Sequence, residues 1–368
     1  MSCRVDLAGL THAECVALAR VRVGRGHGVA GLVYRDAMRR GVFAPEVHGL
    51  GSEALAAWRA AFTLGLPEVA RIVEEPGAVG TTAKAVLRLA DGLESECVLL
   101  PMPGGRFTLC VSSQVGCKMG CTFCETGRMG LVRNLSAAEI VHALLVARHR
   151  LGWRFDNLVF MGMGEALDNF DALAQALRVI TEPGGFAMGQ EKITVCTVGH
   201  VEGIRRLAAA GFRRLNLSVS LNAGSDAERA SLMPIARRHP LAELQAALVA
   251  YRPRANFVVA VNYCLLPGIN DRPEDADAIA RFCAPLGRVI VHVIPYNPGS
   301  QPIARAPSED EVARFIDGLG ARGLPARRRV TKGRSVMAAC GQLGNLRLRR
   351  ARGAAGDARR AAPVAWEG

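Results

Sequence analysis

The chain opens with three stretches in which apolar residues recur at helical spacing: Leu10 to Arg22, Val29 to Arg40 and Glu53 to Leu64. Apolar residues three and four apart share one face of a helix, so each stretch predicts an amphipathic helix. Gly-rich breaks at 24–28 and 49–51 separate them. These helices define a small N-terminal helical module over residues 1–90. Runs of β character follow at Ala85–Leu89 and Cys97–Leu100, divided by Asp91-Gly92.

From Phe107 the pattern changes to strand, loop and helix in repeated order. Thr108–Val111 predicts a strand. Ser136-Ala-Ala-Glu139 is a capping box that opens a helix to about Arg150. Asn157–Met163 is the apolar run of a strand buried on both faces. A helix over Phe170–Ile180, a strand over Ile193–Thr197 and a helix over Val201–Ala210 come next. Leu215–Leu221 predicts a strand, with helical stretches to Tyr251. Phe257–Leu265 is a strand followed by a helix over Glu274–Ala284. Val289–Ile294 is a strand, and a second capping box at Ser308–Glu311 opens a helix to Leu319. Ala326–Val330 adds an edge strand. Roughly six β/α units in a row imply an α/β fold with a parallel sheet covered by helices. Its ligands belong at the carboxyl ends of the strands. The core is placed at 91–345, and the Arg-, Ala- and Gly-rich segment 346–368 reads as a basic, flexible tail.

Charge and composition narrow the classes. The formal net charge is +13, from 46 basic and 33 acidic residues. A basic surface attracts nucleic acid or anionic lipid, although an Arg- and Ala-rich composition gives the same excess. No run of about 18 uncharged apolar residues occurs, so no membrane span is expected. The start, Met1-Ser2-Cys3-Arg4-Val5-Asp6, carries no apolar signal core, which points to the cytoplasm. Eleven cysteines in such a chain point to a reducing compartment where thiols serve metal or redox chemistry. Cys15, Cys264 and Cys283 sit on apolar faces and read as core residues.

Three cysteines change the picture most. Cys117, Cys121 and Cys124 stand in Gly-Cys-Lys-Met-Gly-Cys-Thr-Phe-Cys, a C-x3-C-x2-C run just after the first strand of the repeat. A structural zinc site would close its tetrahedron with a fourth Cys or His, and the nearest candidate, His142, falls in a separate predicted helix. Three thiolates on a 4Fe–4S cluster leave one iron open. That spacing is the one used by radical S-adenosylmethionine (SAM) enzymes.

Further strings sharpen the resemblance. They are Thr108 to Cys117, Arg133-Asn134-Leu135, Met161-Gly-Met-Gly-Glu165, Ile294-Pro-Tyr-Asn297 and Ala338-Ala-Cys-Gly-Gln-Leu343. Together with the cysteine run, the chain resembles the radical SAM adenosine-C2/C8 RNA methyltransferases, the RlmN/Cfr group, over about residues 90–345. The resemblance implies a partial (β/α)6 radical SAM barrel, one 4Fe–4S cluster held by Cys117, Cys121 and Cys124, and SAM as cofactor. It implies SAM contacts at Gly164, Glu165, Cys196, Ser220, Leu221, Asn222 and Asn297. Ala166, Cys196 and Asn222 depart from the family's usual residues and mark a divergent branch.

The resemblance also gives the remaining cysteines roles. Taken alone, Cys110 and Cys340 read as packed thiols. In the family the distal cysteine, matched by Cys340, receives a methyl group from one SAM, and a radical from another SAM takes hydrogen from it. The methylene radical attacks the adenine ring. The partner cysteine, matched by Cys110, then displaces the thioether as a disulfide. Glu96 best matches the family's base, with Glu94 as rival. The implied partners are ribosomal RNA, transfer RNA and an electron donor such as flavodoxin or ferredoxin, with the protein acting as a monomer. Arg327–Arg329, Lys332, Arg334 and the tail residues Arg347, Arg349, Arg350 and Arg352 are the candidate RNA contacts. Two alternatives stay open: a radical SAM enzyme acting on something other than RNA, and a non-catalytic RNA-binding paralogue.

Overall fold

A computed structural model describes residues 4–344; the predicted tail lies outside the described residues. Among the described residues ten strands form one sheet. Arg106–Val111, Asn157–Phe160, Ile193–Thr197, Asn216–Ser220, Val259–Leu265, Val289–Pro295 and Ala326–Arg328 run parallel, and their spatial order is their order in the chain. Right-handed crossovers between strands in that order collect the helices on one face. The sheet is therefore wrapped on one side and presents its other side to a central cavity, the α/β partial barrel expected.

Side-chain alternation sorts the two faces. Leu109, Leu158, Val195, Leu217, Val261 and Val291 pack into the main core with the helices. Their strand neighbours Cys110, Val159, Cys196, Ser218, Asn262 and His292 point the other way, and the register aligns them across the sheet: Cys110 beside Val159, Cys196 beside Ser218, Asn262 beside His292.

The N-terminal helices form as predicted, over His12–Arg22, Ala30–Arg40 and Ser52–Ala61. The first begins at a capping box between Thr11 and Glu14. The helical part ends there, however. Glu68–Glu75 and Thr82–Arg88 are strands that extend the main sheet antiparallel, joined to it through Glu94–Met102. A boundary at residue 90 would cut the hairpin between Thr82–Arg88 and Glu94–Met102. Glu68–Glu75 is the sheet edge and carries charges on its solvated side, which hides its strand period.

Two shorter departures follow from packing. The strand predicted over Asn157–Met163 stops at Phe160. Gly162 there lies so close to the end of the neighbouring strand Arg106–Val111 that a Cβ would sit 2.6 Å from the Val111 carbonyl oxygen. The helix opened by the Ser136–Glu139 box is α-helical over Ala137–Leu145 and widens into a π-turn over Val146–Arg150.

Candidate active site

The cysteine loop is fastened at both ends. Cys117 N–H donates to the Gly130 carbonyl at 3.0 Å and Thr122 N–H to the Leu232 carbonyl at 2.9 Å. Gly116 has φ +77°, and a Cβ there would fall 2.0 Å from the Gly130 oxygen, so only glycine permits this turn. Cys117 and Cys121 are buried among Met119, Met233, Cys264 and Tyr296, with Cys124 packed against them. Burial pushes all three thiols up. A metal centre displaces those protons and binds the thiolates. The donors that meet here are sulfur, the soft set suited to iron–sulfur chemistry, so the residues fit a cluster. His142 is not among them: it is buried in its own helix, with Nε2 3.1 Å from Asp6.

A cavity opens beside Cys121 and Cys124. Gly164 and Glu165 form part of its wall, from the loop after Asn157–Phe160. Gly164 has φ +98°, and its missing side chain leaves room for Gln114, whose amide oxygen accepts from Glu165 N–H at 2.9 Å. The Glu165 carboxylate accepts from Val198 N–H at 2.8 Å and Leu167 N–H at 3.1 Å. Burial nevertheless dominates and pushes its carboxyl up to about 7.

The segment bearing Cys340 closes another side of the same cavity. Glu125 N–H donates to the Gly341 carbonyl at 2.7 Å, and Thr126 Oγ1 to the Leu343 carbonyl at 2.5 Å. Both donors follow Cys124 directly, so the Cys340 loop hangs from the start of the helix Glu125–Met129. Asn297 Nδ2 donates to the Cys340 carbonyl at 3.3 Å. The Cys340 sulfur lies 3.8 Å from the Met161 sulfur.

Cys110 lies behind that wall. It packs in one small cluster with Met129, Met163, Ala338 and Leu343, the last two flanking Cys340. Two cysteines far apart in sequence are thus brought to one place, and both thiols are free. Burial pushes the Cys110 thiol up, with the Arg329 guanidinium pulling the other way. Glu96 lies one step along the same inner face, in the strand paired with Cys110's own: Cys110 opposes Val98, and the Ser112 hydroxyl donates to the Glu96 carbonyl at 2.6 Å. Its carboxylate is buried and 3.6 Å from Lys84 Nζ. Burial pushes that carboxyl up, with Lys84 opposing. Glu94 lies a further step toward the strand's start and is half-buried.

The remaining expected residues divide. Cys196, Ser220 and Asn222 line the cavity with Glu165. Burial pushes the Cys196 thiol up to about 12. Asn222 has φ +60°, a conformation asparagine tolerates. Its Oδ1 accepts from Cys264 N–H at 2.8 Å, so its amide ties two strand ends together. Leu221 turns its side chain into the main core. Asn297 Oδ1 accepts from Arg334, which binds this asparagine to the Cys340 segment on both sides. Cys264 belongs to the pocket wall rather than the general core, while Cys15 and Cys283 are core residues.

Several basic residues read as RNA contacts have partners within the protein. Arg328 pairs with Glu309, Lys332 donates to the Pro101 carbonyl, and Arg329 Nη1 lies 3.2 Å from the Met161 sulfur. Arg347, Arg349, Arg350 and Arg352 lie outside the described residues. Two residues escaped the sequence reading. Lys84 could have been found as a lone lysine at an inward position of an apolar strand. Arg229 is fully buried and donates to the carbonyls of Leu221 and Val198; nothing in its local sequence marks it.

Comparison with known proteins places this site. The model of the radical SAM superfamily matches residues 111–283. A probable dual-specificity RNA methyltransferase RlmN from Protochlamydia amoebophila is 44% identical over 271 residues, 74% of this chain and 75% of its own. The chain belongs to this family. A probable RNA methyltransferase from Sorangium cellulosum is 40% identical over 357 residues, covering 94% of this chain and 87% of its own. Among solved structures, a radical SAM methyltransferase from Sphaerobacter thermophilus matches with a TM-score of 0.84 at 36% identity, over 92% of this chain and 98% of its own. Family membership implies a 4Fe–4S cluster and SAM. Among the described residues no helix is long and apolar enough to cross a membrane.

Proposed function

We propose that this protein methylates a ring carbon of an adenosine in RNA, with C2 favoured over C8, 23S ribosomal RNA the leading substrate and transfer RNA a second. The observation that carries the reading is that Cys340 lines the same cavity as Cys121, Cys124 and Glu165, with Cys110 packed just behind. A radical SAM enzyme on another substrate has no use for that pair, and a non-catalytic paralogue has no use for the cysteine loop.

Cys117, Cys121 and Cys124 would hold the cluster, and Glu165 with the backbone at Gly164 would receive the amino-acid end of SAM. Bound there and fed electrons by a flavodoxin- or ferredoxin-like donor, the pair supplies a carbon radical. The chain's own residues do the rest. The Cys340 thiolate takes a methyl cation from one SAM. Transfer of one hydrogen atom from that methyl to the carbon radical leaves a methylene radical on Cys340, which adds to the electrophilic ring carbon. The adduct gives up one electron, which the cluster would accept, and Glu96 takes the ring proton. The Cys110 thiolate attacks the Cys340 sulfur, the carbon–sulfur bond breaks, and the released carbon takes a proton to become the methyl group. Arg329 favours the thiolate that this last step needs. The raised affinity of Glu96 for a proton suits it to act as base.

The test is nucleoside mass spectrometry of RNA incubated with reconstituted protein, SAM and reductant. The reading expects 2-methyladenosine. A product at C8 would move the target carbon, and unchanged adenosine in both RNA classes would overturn the RNA reading.

A further inference from the structure

A second group of chemically able side chains lies at the start of the helix Val201–Ala209, outside the cavity. His200 is its N-cap and Glu202 stands in its first turn. His239 reaches them from the turn after Pro234–Arg237. His239 Nε2 is 3.0 Å from Glu202 Oε2, and His200 Nδ1 is 3.9 Å from the same oxygen. One ligand atom from each residue lies within 4.8 Å of the other two. His239 is 1% exposed; among the described residues its Nδ1 has no hydrogen-bond partner, and its Nε2, although 3.0 Å from Glu202 Oε2, makes no aligned hydrogen bond to it. A buried imidazole satisfied this poorly is costly unless something else occupies its nitrogens.

We propose that His200, Glu202 and His239 bind one divalent cation of the zinc class, with water completing the coordination. Donors around a tetrahedral zinc lie ~3.3 Å apart, between the two distances found here. Two imidazoles and one carboxylate are a donor set that zinc favours. Glu202 is about half exposed, so the site opens to solvent on its side. Burial holds both imidazoles below their usual range, in the neutral form that ligates metals.

The tautomer of His200 agrees. Its Nε2 lies 3.8 Å from the Asp168 carboxylate, and its Nδ1 accepts from Gly203 N–H at 3.0 Å. The proton therefore belongs on Nε2, and the Nδ1 lone pair now faces Gly203 N–H, with Glu202 Oε2 3.9 Å from the same nitrogen. A cation there would take over the lone pair that now caps the helix, with the Asp168 carboxylate 3.8 Å behind the ring. Asp168 is itself held by Lys118 of the cysteine loop at 2.9 Å. The nearby Arg238 and the helix N-terminus oppose a cation; the Glu202 charge offsets them. A bound ion would pin the residues just after Val198, the backbone partner of Glu165, to the turn at His239.

The experiment uses the full chain with its cluster reconstituted, equilibrated with zinc and desalted, followed by elemental analysis. The site predicts one zinc per chain beyond the cluster iron, together with a higher melting temperature. Glu202→Gln and His239→Asn should each lose the zinc and keep the iron, the iron serving as the sign of correct folding. Glu202 is surface-lying, so its variant folds even if the His239 variant does not. Wild-type protein without extra zinc means that His239 is simply paired with Glu202, and the proposal fails. It fails equally if both variants retain the metal, or if the zinc is lost in Cys121→Ala instead.

Discussion

Lys84 Nζ and the Glu96 carboxylate face each other at 3.6 Å in the buried inner wall of the sheet, and the same ammonium donates to the Met337 carbonyl at 2.9 Å. One lysine thus holds both the carboxylate placed as base and the segment that carries Cys340. Removing one partner of a buried pair costs on the order of 3–5 kcal/mol, because the other charge is left alone. Lys84→Met should therefore lower the melting temperature by several degrees and reduce methyl transfer at least tenfold, while the iron content stays at the wild-type value. Normal turnover in this variant would separate Glu96 from the chemistry.

Glu165 makes stability and cofactor binding depend on pH in opposite directions. Its folded-state carboxyl is raised from 4.5 to about 7, burial being the largest cause. The stability this contributes is complete below the unfolded value and is lost as pH rises through the folded one, an effect on the order of 3 kcal/mol. Melting curves of the protein without SAM should fall between about pH 5 and pH 8, and Glu165→Gln should flatten that fall. SAM affinity in the wild type should rise over the same interval, since the ionised carboxylate receives the ammonium group. Equal pH profiles for the two proteins would remove Glu165 from the cofactor site.

Gly164→Ala tests the wall of the cavity by shape alone. The new Cβ would meet the Gln114 side chain at 2.6 Å, at a φ of +98° that disfavours any side chain. Strain of about 1–3 kcal/mol is expected, together with displacement of the Glu165 backbone from Gln114. Calorimetry should show weaker SAM binding with normal iron content. Unchanged affinity would mean that the cofactor lies elsewhere along the strand ends.

The fold was legible wherever the chain is apolar in long runs or capped by side chains. The parallel strands and the helices opened at Ser136 and Ser308 lie close to where their patterns put them. Glu68–Glu75 escaped because an edge strand with one wet face shows mixed charge rather than clean alternation. The cysteine loop and Glu165 were singled out on local spacing, and the structure brings Cys121, Cys124 and Glu165 to one cavity. What local spacing does not carry is side-chain direction, which depends on register and on a loop more than forty residues away: Leu221 turns into the main core, and Asn297 holds the Cys340 carbonyl. His239 gave no signal at all, since its partners His200 and Glu202 come from a different helix.

The cysteine relay has one direct test. Cys110→Ala and Cys340→Ala proteins, each with its cluster intact, are incubated with RNA, SAM and reductant, then denatured and resolved. Cys340 carries the methyl group, so Cys340→Ala should leave RNA unmodified and unattached. Cys110 acts only at release, so Cys110→Ala should trap RNA on Cys340 through a methylene bridge that survives denaturation. An adduct in the Cys110→Ala protein alone is the predicted result. RNA methylation by Cys340→Ala, or identical behaviour of the two variants, would contradict the relay.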